Sequence, residues 1–295
     1  MYLLLGANGF LGSYILDKIL SQTEDSVIAV TRKEGFIKSS DRVIPFPCDI
    51  GRFEQIDALA DRIKTYGKCK VIDLAFWHNL DTLAKNEAEA WHTNITSLSY
   101  FLNAIDDFEC FFFASTDCVY GEGEENRAFC EEDELEPISR YGVHKAAAEC
   151  LVSARGGSSF RLPYMFGPSK AVGKKHFYDI ILENLKSDKP TELFDDQYRS
   201  SLDFDKVASL FVYMAENHAS LELPPVLNLC GDLSLSKYDL GLLLAEKYDL
   251  PKDLLLPVSA ATFKTDPKAA RAFNGAMDNS KLKELLGLDE LKIKL

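Results

Sequence analysis

Short apolar runs alternate along this chain with segments of helical period. Tyr2-Leu3-Leu4-Leu5 is the first run, and an unbroken apolar stretch of that length reads as a strand buried on both faces. Behind it, residues 13–20 place Tyr14, Ile15, Leu16, Ile19 and Leu20 at the spacing of one helix face. The alternation recurs. Residues 27–30, 42–47, 71–75 and 111–114 read as strands, with helical segments at 53–64 and 80–104. Strands and helices in this order predict an α/β fold built on a doubly wound parallel sheet. From 166 onward the pattern loosens: helices are expected at 177–186, 235–248 and 281–286, a strand at 226–229, and a helix entry at 202–208 with Asp205 as its cap or a structural partner.

Between the first strand and the first helix stands Gly6-Ala7-Asn8-Gly9-Phe10-Leu11-Gly12, a GxxGxxG turn. Strand, glycine turn and helix N-terminus form the geometry that receives a pyrophosphate. This predicts a Rossmann dinucleotide-binding domain over 1–164, with 202–231 returning to it. A smaller discontinuous substrate lobe follows, made of 165–201 and 232–295. After the second strand, Thr31-Arg32-Lys33 carries no carboxylate to accept from a ribose. That points to NADPH (NADP), with Arg32 as partner of the 2′-phosphate and NAD as the second candidate; the alternative is that Arg32 and Lys33 are simply exposed loop charges. Asp49 is placed either to approach the adenine edge or to cap the helix at 53–64. Phe76-Trp77-His78 leaves the fourth strand where open α/β sheets bind ligands; His78 reads as wall or surface. Asn94, in the middle of a helical segment, reads as solvent-facing.

Ser115-Thr116-Asp117 closes the fifth strand, and Tyr141-Gly142-Val143-His144-Lys145 opens a helix. Tyr141 and Lys145 then lie one turn apart on one face. A phenol ordinarily ionises near ~10, and an ammonium beside it favours the phenolate. With a Thr116 hydroxyl to hold the carbonyl oxygen, the set forms a general acid or base for hydride chemistry.

The net charge of −13 argues against a nucleic-acid surface. Lys170, Lys174, Lys175 and His176 form a local basic patch, either a solvated loop or a rim that attracts a diphosphate. Seven cysteines include no CxxC pair, which suggests free thiols in a reducing compartment rather than disulfides or zinc. No apolar stretch approaches the ~20 residues of a membrane span. A cytoplasmic protein with no metal and no membrane association is expected.

The glycine turn, Ser115-Thr116-Asp117-Cys118-Val119-Tyr120-Gly121 and the Tyr141–Lys145 segment stand in an order that resembles the extended short-chain dehydrogenase/reductases along essentially the whole chain. Within that superfamily the details are most similar to the dTDP-4-dehydrorhamnose reductase branch. They are the Ser-Thr-Asp triplet, Tyr164 where epimerases usually have Asn, Asp196-Gln197, the segment 270–282, and the short length. Ala272 departs from that pattern, and so does Tyr198-Arg199-Ser200-Ser201, whose arginine resembles an epimerase diphosphate contact.

The resemblance implies reduction of a nucleotide-linked 4-keto-6-deoxy sugar, with Thr116, Tyr141 and Lys145 catalytic and Lys145 lowering the Tyr141 pKa. It implies a cofactor held by Gly6, Asn8, Gly9, Phe10, Leu11, Gly12, Arg32, Asp49, Ile50, Ala75, Phe76, Tyr141, Lys145 and Pro163. The sugar nucleotide would meet Thr116, Asp117, Tyr164, Arg199 and Arg271. A homodimer is common among such proteins. Two other readings stay open: an epimerase or dehydratase holding NAD tightly, and a non-catalytic dinucleotide-binding regulatory subunit.

Overall fold

The computed structural model describes residues 1–105, 107–125, 127–264 and 266–294. Its centre is a seven-stranded sheet in the order β3-β2-β1-β4-β5-β6-β9, every pairing parallel. The strands are β1 (Tyr2–Leu5), β2 (Val27–Thr31), β3 (Val43–Pro47), β4 (Lys70–Asp73), β5 (Cys110–Thr116), β6 (Ser158–Leu162) and β9 (Val226–Asn228). From β1 the chain first builds toward β3, then crosses back to β4 and builds the other way. The crevice at that reversal, over the carboxyl ends of β1 and β4, is where such sheets take ligands.

Each face of the sheet is covered. On one side α1 (Phe10–Gln22) and α8 (Phe204–Glu216) bury Ile15, Ile19, Phe211 and Met214 against Leu4, Phe112 and Phe160. On the other, α2 (Phe53–Lys64), α5 (Ser97–Ala104) and α6 (Arg140–Ala154) pack Ile56, Leu59, Phe101 and Val152 against Leu3, Ile28 and Phe111. A separate cluster around Phe166, Tyr178, Leu193, Leu240 and Leu244 makes the second lobe. It joins α7 (Phe177–Lys186), the β7 (Thr191–Phe194) and β10 (Leu255–Val258) pair, and α9 (Lys237–Lys247). Leu282 of α10 (Ser280–Leu286) and Leu291 pack instead into the sheet's own core, although the lobe was expected to run through 232–295. A further small pair joins β8 (Tyr198–Arg199) to β11 (Asn274–Gly275).

Several local expectations are corrected. The segment 80–104 is not one helix: α3 (Leu80–Lys85) and α4 (Glu87–Trp91) are separated at Asn86, and a π-helical turn, His92–Thr96, precedes α5. The wide turn carries Asn94 inward. It is 1% exposed, and its Oδ1 accepts from the Trp77 N–H at 2.7 Å. Asn94 is therefore a strut for the loop after β4, not a solvent-facing residue. Arg52, not Asp49, precedes α2, and Asp49 accepts from the Gly51 N–H at 3.0 Å. Asp203 rather than Asp205 caps α8, accepting from the Lys206 N–H at 2.8 Å, while Asp205 pairs with Lys18.

Candidate active site

The turn after β1 is shaped by what its glycines lack. Gly6 has φ +77°, which only glycine adopts without strain. A Cβ on Gly12 would meet Gly6 O at 2.2 Å, so α1 packs this close to the turn only with glycine there. Gly9 is the N-cap of α1 and offers no side-chain cap. The first N–H groups of the helix thus stay open at the crevice. Gly6, Gly9, Phe10, Leu11 and Gly12 face a cavity of about 470 Å³. A dinucleotide pyrophosphate fits this cradle.

Other candidates for the cofactor fall around it. Phe76, Tyr141, Lys145 and Pro163 line the same cavity. Ile50 and Ala75 line a smaller neighbouring cavity with Asp73, Asn94 and Ser97. Asn8 and Asp49 are half-buried and outside the main cavity, and Arg32 is exposed at the end of β2.

The reactive set is carried by β5 and α6. β5 extends two residues past the apolar run, so Ser115 and Thr116 are strand residues pointing to opposite sides. Ser115 donates to Glu149 at 2.5 Å inside the protein. Thr116 faces the cavity and donates to Asp117 Oδ1 at 2.8 Å. It also lies within hydrogen-bonding reach of the Tyr141 phenol. Burial, with Cys118 and Asp117 nearby, pushes the Tyr141 pKa well above the usual phenol value; the Thr116 hydrogen bond opposes this.

In this arrangement the Lys145 ammonium is engaged elsewhere than on the Tyr141 phenol. Its ammonium donates to Ala114 O at 2.5 Å and lies 3.7 Å from the Phe76 ring centroid, 4.2 Å from that of Phe113 and 5.9 Å from that of Tyr141. Burial pulls its pKa down, to about 7, against the attraction of Asp73 and Glu149. Asp73, at the end of β4, is pushed up by the same burial.

The far end of the cavity belongs to the second lobe. Tyr164 lines it and donates to Leu235 O at 2.9 Å. Arg199 Nε lies 2.6 Å from Asp117 Oδ2, and both side chains are buried. The rest of its guanidinium donates to the carbonyls of Tyr198, Phe273 and Ala272. In this structure the Arg199 guanidinium is thus already engaged within the cavity wall. Arg271 sits at the rim, donating to Asp81 Oδ2 at 3.0 Å.

The basic patch comes apart. Lys170 pairs with Asp17 and Lys175 with Glu183, both exposed. His176 packs edge-on against Phe10 with centroids 5.1 Å apart, and burial lowers its pKa to about 4. Among the cavity residues, sequence reasoning passed over Gln197 as a lining residue and Lys237 altogether. Lys237 stands in a predicted helix, where one lysine carries no signal.

Three comparisons bear on this site. The family model for the RmlD substrate binding domain matches residues 1–293. A trifunctional UDP-glucose 4,6-dehydratase/UDP-4-keto-6-deoxy-D-glucose 3,5-epimerase/UDP-4-keto-L-rhamnose-reductase of Arabidopsis thaliana is 28% identical over 71% of this chain. The match spans about a third of that enzyme's own length, 34%. Among solved structures, a hypothetical dTDP-4-dehydrorhamnose reductase from Sulfolobus tokodaii superposes with a TM-score of 0.78 at 22% identity. It covers 100% of this chain and 98% of that one. The UDP-glucose 4-epimerase of Thermotoga maritima does so equally, at 0.78 and 22%, covering 99% and 94%. Those two likenesses share the fold, and the fold does not choose between reduction and epimerisation.

Proposed function

The chain belongs to the RmlD substrate binding domain family, and from that premise we propose that it reduces a nucleotide-linked 4-keto-6-deoxy sugar, with NADPH preferred over NADH. The observation that carries the reading is one continuous cavity. The glycine turn opens to one end, Thr116 and Tyr141 to the middle, and the cationic second-lobe wall to the other.

The chemistry follows from the side chains. When bound, the reduced nicotinamide supplies a hydride. Gly6, Gly9 and Gly12 would hold its pyrophosphate and Arg32 its 2′-phosphate. Tyr141, held protonated by its burial, donates its phenolic proton to the alkoxide oxygen as the carbonyl is reduced. Thr116 turns its hydroxyl from Asp117 to the carbonyl oxygen and stabilises the charge that develops there. Lys145, as an ammonium, holds positive charge beside the phenolate left after proton transfer.

Burial keeps the Tyr141 phenol protonated, the form that proton donation to the alkoxide requires. Position 118 also carries a cysteine whose thiol is pushed up to about 12 by burial and Asp117, so it supplies no acid pair with Asp117. The missing acid pair counts against dehydration. The test is a panel of nucleotide-linked 4-keto-6-deoxy sugars with NADPH, with the product identified. Stoichiometric oxidation of NADPH and a 4-hydroxy product are expected; no oxidation with any member would overturn the reading.

A further inference from the structure

Three cations face the far end of the cavity, and their charges are compensated differently. Arg199 is neutralised by buried Asp117 at 2.6 Å. Arg271 pairs with Asp81 at 3.0 Å, where Asp81 is more than half exposed. Lys237, the first residue of α9, has no carboxylate or carbonyl within hydrogen-bonding distance of its ammonium among the described residues. It faces rings instead: the centroids of Phe177, Phe194 and Tyr164 lie 5.6, 5.8 and 5.9 Å from its Nζ.

A half-buried ammonium without an anion, next to two further cations, is unfavourable unless a ligand completes it. Burial first, then Arg271 and Arg199, lower the Lys237 pKa. The whole protein carries a net charge of −13, so uncompensated positive charge in its main cavity is local to this end. The three cations also differ in how readily they can turn to a ligand. Releasing Arg199 would strand a buried carboxylate, whereas the rim pair of Arg271 exchanges for solvent at little loss.

We propose that Lys237 is the specificity-determining contact for the anionic bridge of the substrate, a diphosphate between nucleoside and sugar. Arg271 is the second arm, and Arg199 holds the wall. This rests on the nucleotide-sugar reading above and adds the residue that selects a diphosphate over an uncharged ligand. Phe177 and Tyr164 limit the ammonium's excursions and exclude water from its apolar stem.

The test is calorimetric titration of the full chain, loaded with NADP, with dTDP and UDP and with the corresponding uncharged nucleosides. Lys237→Gln should weaken either diphosphate about tenfold to a hundredfold, the loss of one charge-assisted contact. It should leave nucleoside and NADPH affinities unchanged, and Lys237→Arg should restore much of the loss. With a keto-sugar substrate the defect should fall mainly on KM. Unchanged diphosphate affinity in Lys237→Gln, or a wild-type protein that binds NADPH but neither diphosphate, would overturn the inference. The two claims separate. If diphosphate binding depends on Lys237 but no keto sugar is reduced, the site stands and the reductase reading falls. If a keto sugar is reduced and Lys237→Gln leaves KM intact, the reverse holds.

Discussion

Asp117 shares its carboxylate between Thr116 and Arg199: Oδ1 accepts from the Thr116 hydroxyl at 2.8 Å and Oδ2 meets Arg199 Nε at 2.6 Å. One buried carboxylate therefore joins the end of β5 to the short strand that carries the second lobe's cationic wall. It sets the hydroxyl that is to hold the substrate oxygen, and it neutralises a guanidinium that would otherwise be buried alone.

Asp117→Asn should accordingly damage stability and chemistry together. Breaking one side of a buried pair is expected to cost about 3–5 kcal/mol, read as a lower urea midpoint with an unchanged slope. Turnover should fall as well, because Thr116 loses its charged acceptor. An unchanged midpoint would show that Arg199 finds full compensation in the carbonyls of Tyr198, Ala272 and Phe273.

The Lys145–Asp73 relationship predicts a pH dependence. Burial holds Lys145 down to about 7, and Asp73 is the largest influence in the opposite direction. Asp73→Asn removes that support, so the ammonium should lose its proton at lower pH. The alkaline limb of the kcat profile should move to lower pH, and a limb that stays in place would contradict the pairing. The same depression bears on stability. Between about 7 and the ordinary lysine range the unfolded chain binds the extra proton, so this group makes stability rise with pH there. In Asp73→Asn that window should extend downward.

The proposed preference for NADPH rests on Arg32, exposed at the end of β2. Arg32→Ala should weaken NADPH binding by about tenfold or more and leave NADH binding unchanged. Equal loss for both dinucleotides, or no loss for either, would remove Arg32 from the 2′-phosphate.

Where one local signal dominates, the chain is readable. The bounds 53–64 and 177–186 follow from helical period alone and match α2 and α7. The glycine turn announces the crevice because a pyrophosphate cradle needs small residues at fixed places. Legibility stops where distant residues decide. β6 reads Ser-Ser-Phe-Arg-Leu, with no apolar run. It is buried because Arg161 pairs with Glu149 at 2.7 Å, and that partner comes from α6. Asn94 looked like a surface residue because nothing in the sequence marks the π turn that swings it beneath Trp77. The pairing of Arg199 and, among the described residues, the lack of one at Lys237 escape the sequence for the same reason. Which cation is neutralised depends on Asp117, far away in sequence, and not on the residues that flank either one.

The most direct test of the central claim is NADPH oxidation by wild-type protein and Tyr141→Phe, each mixed with a nucleotide-linked 4-keto-6-deoxy sugar, beside calorimetric NADPH binding to both. The wild type should oxidise one NADPH for each sugar reduced. The variant should bind NADPH as tightly but turn over about 10²–10⁴-fold more slowly, the range expected for loss of a general acid. A variant as fast as wild type would contradict the assignment of Tyr141. A wild type that retains NAD through purification and converts the sugar without net oxidation of NADPH would contradict reduction itself.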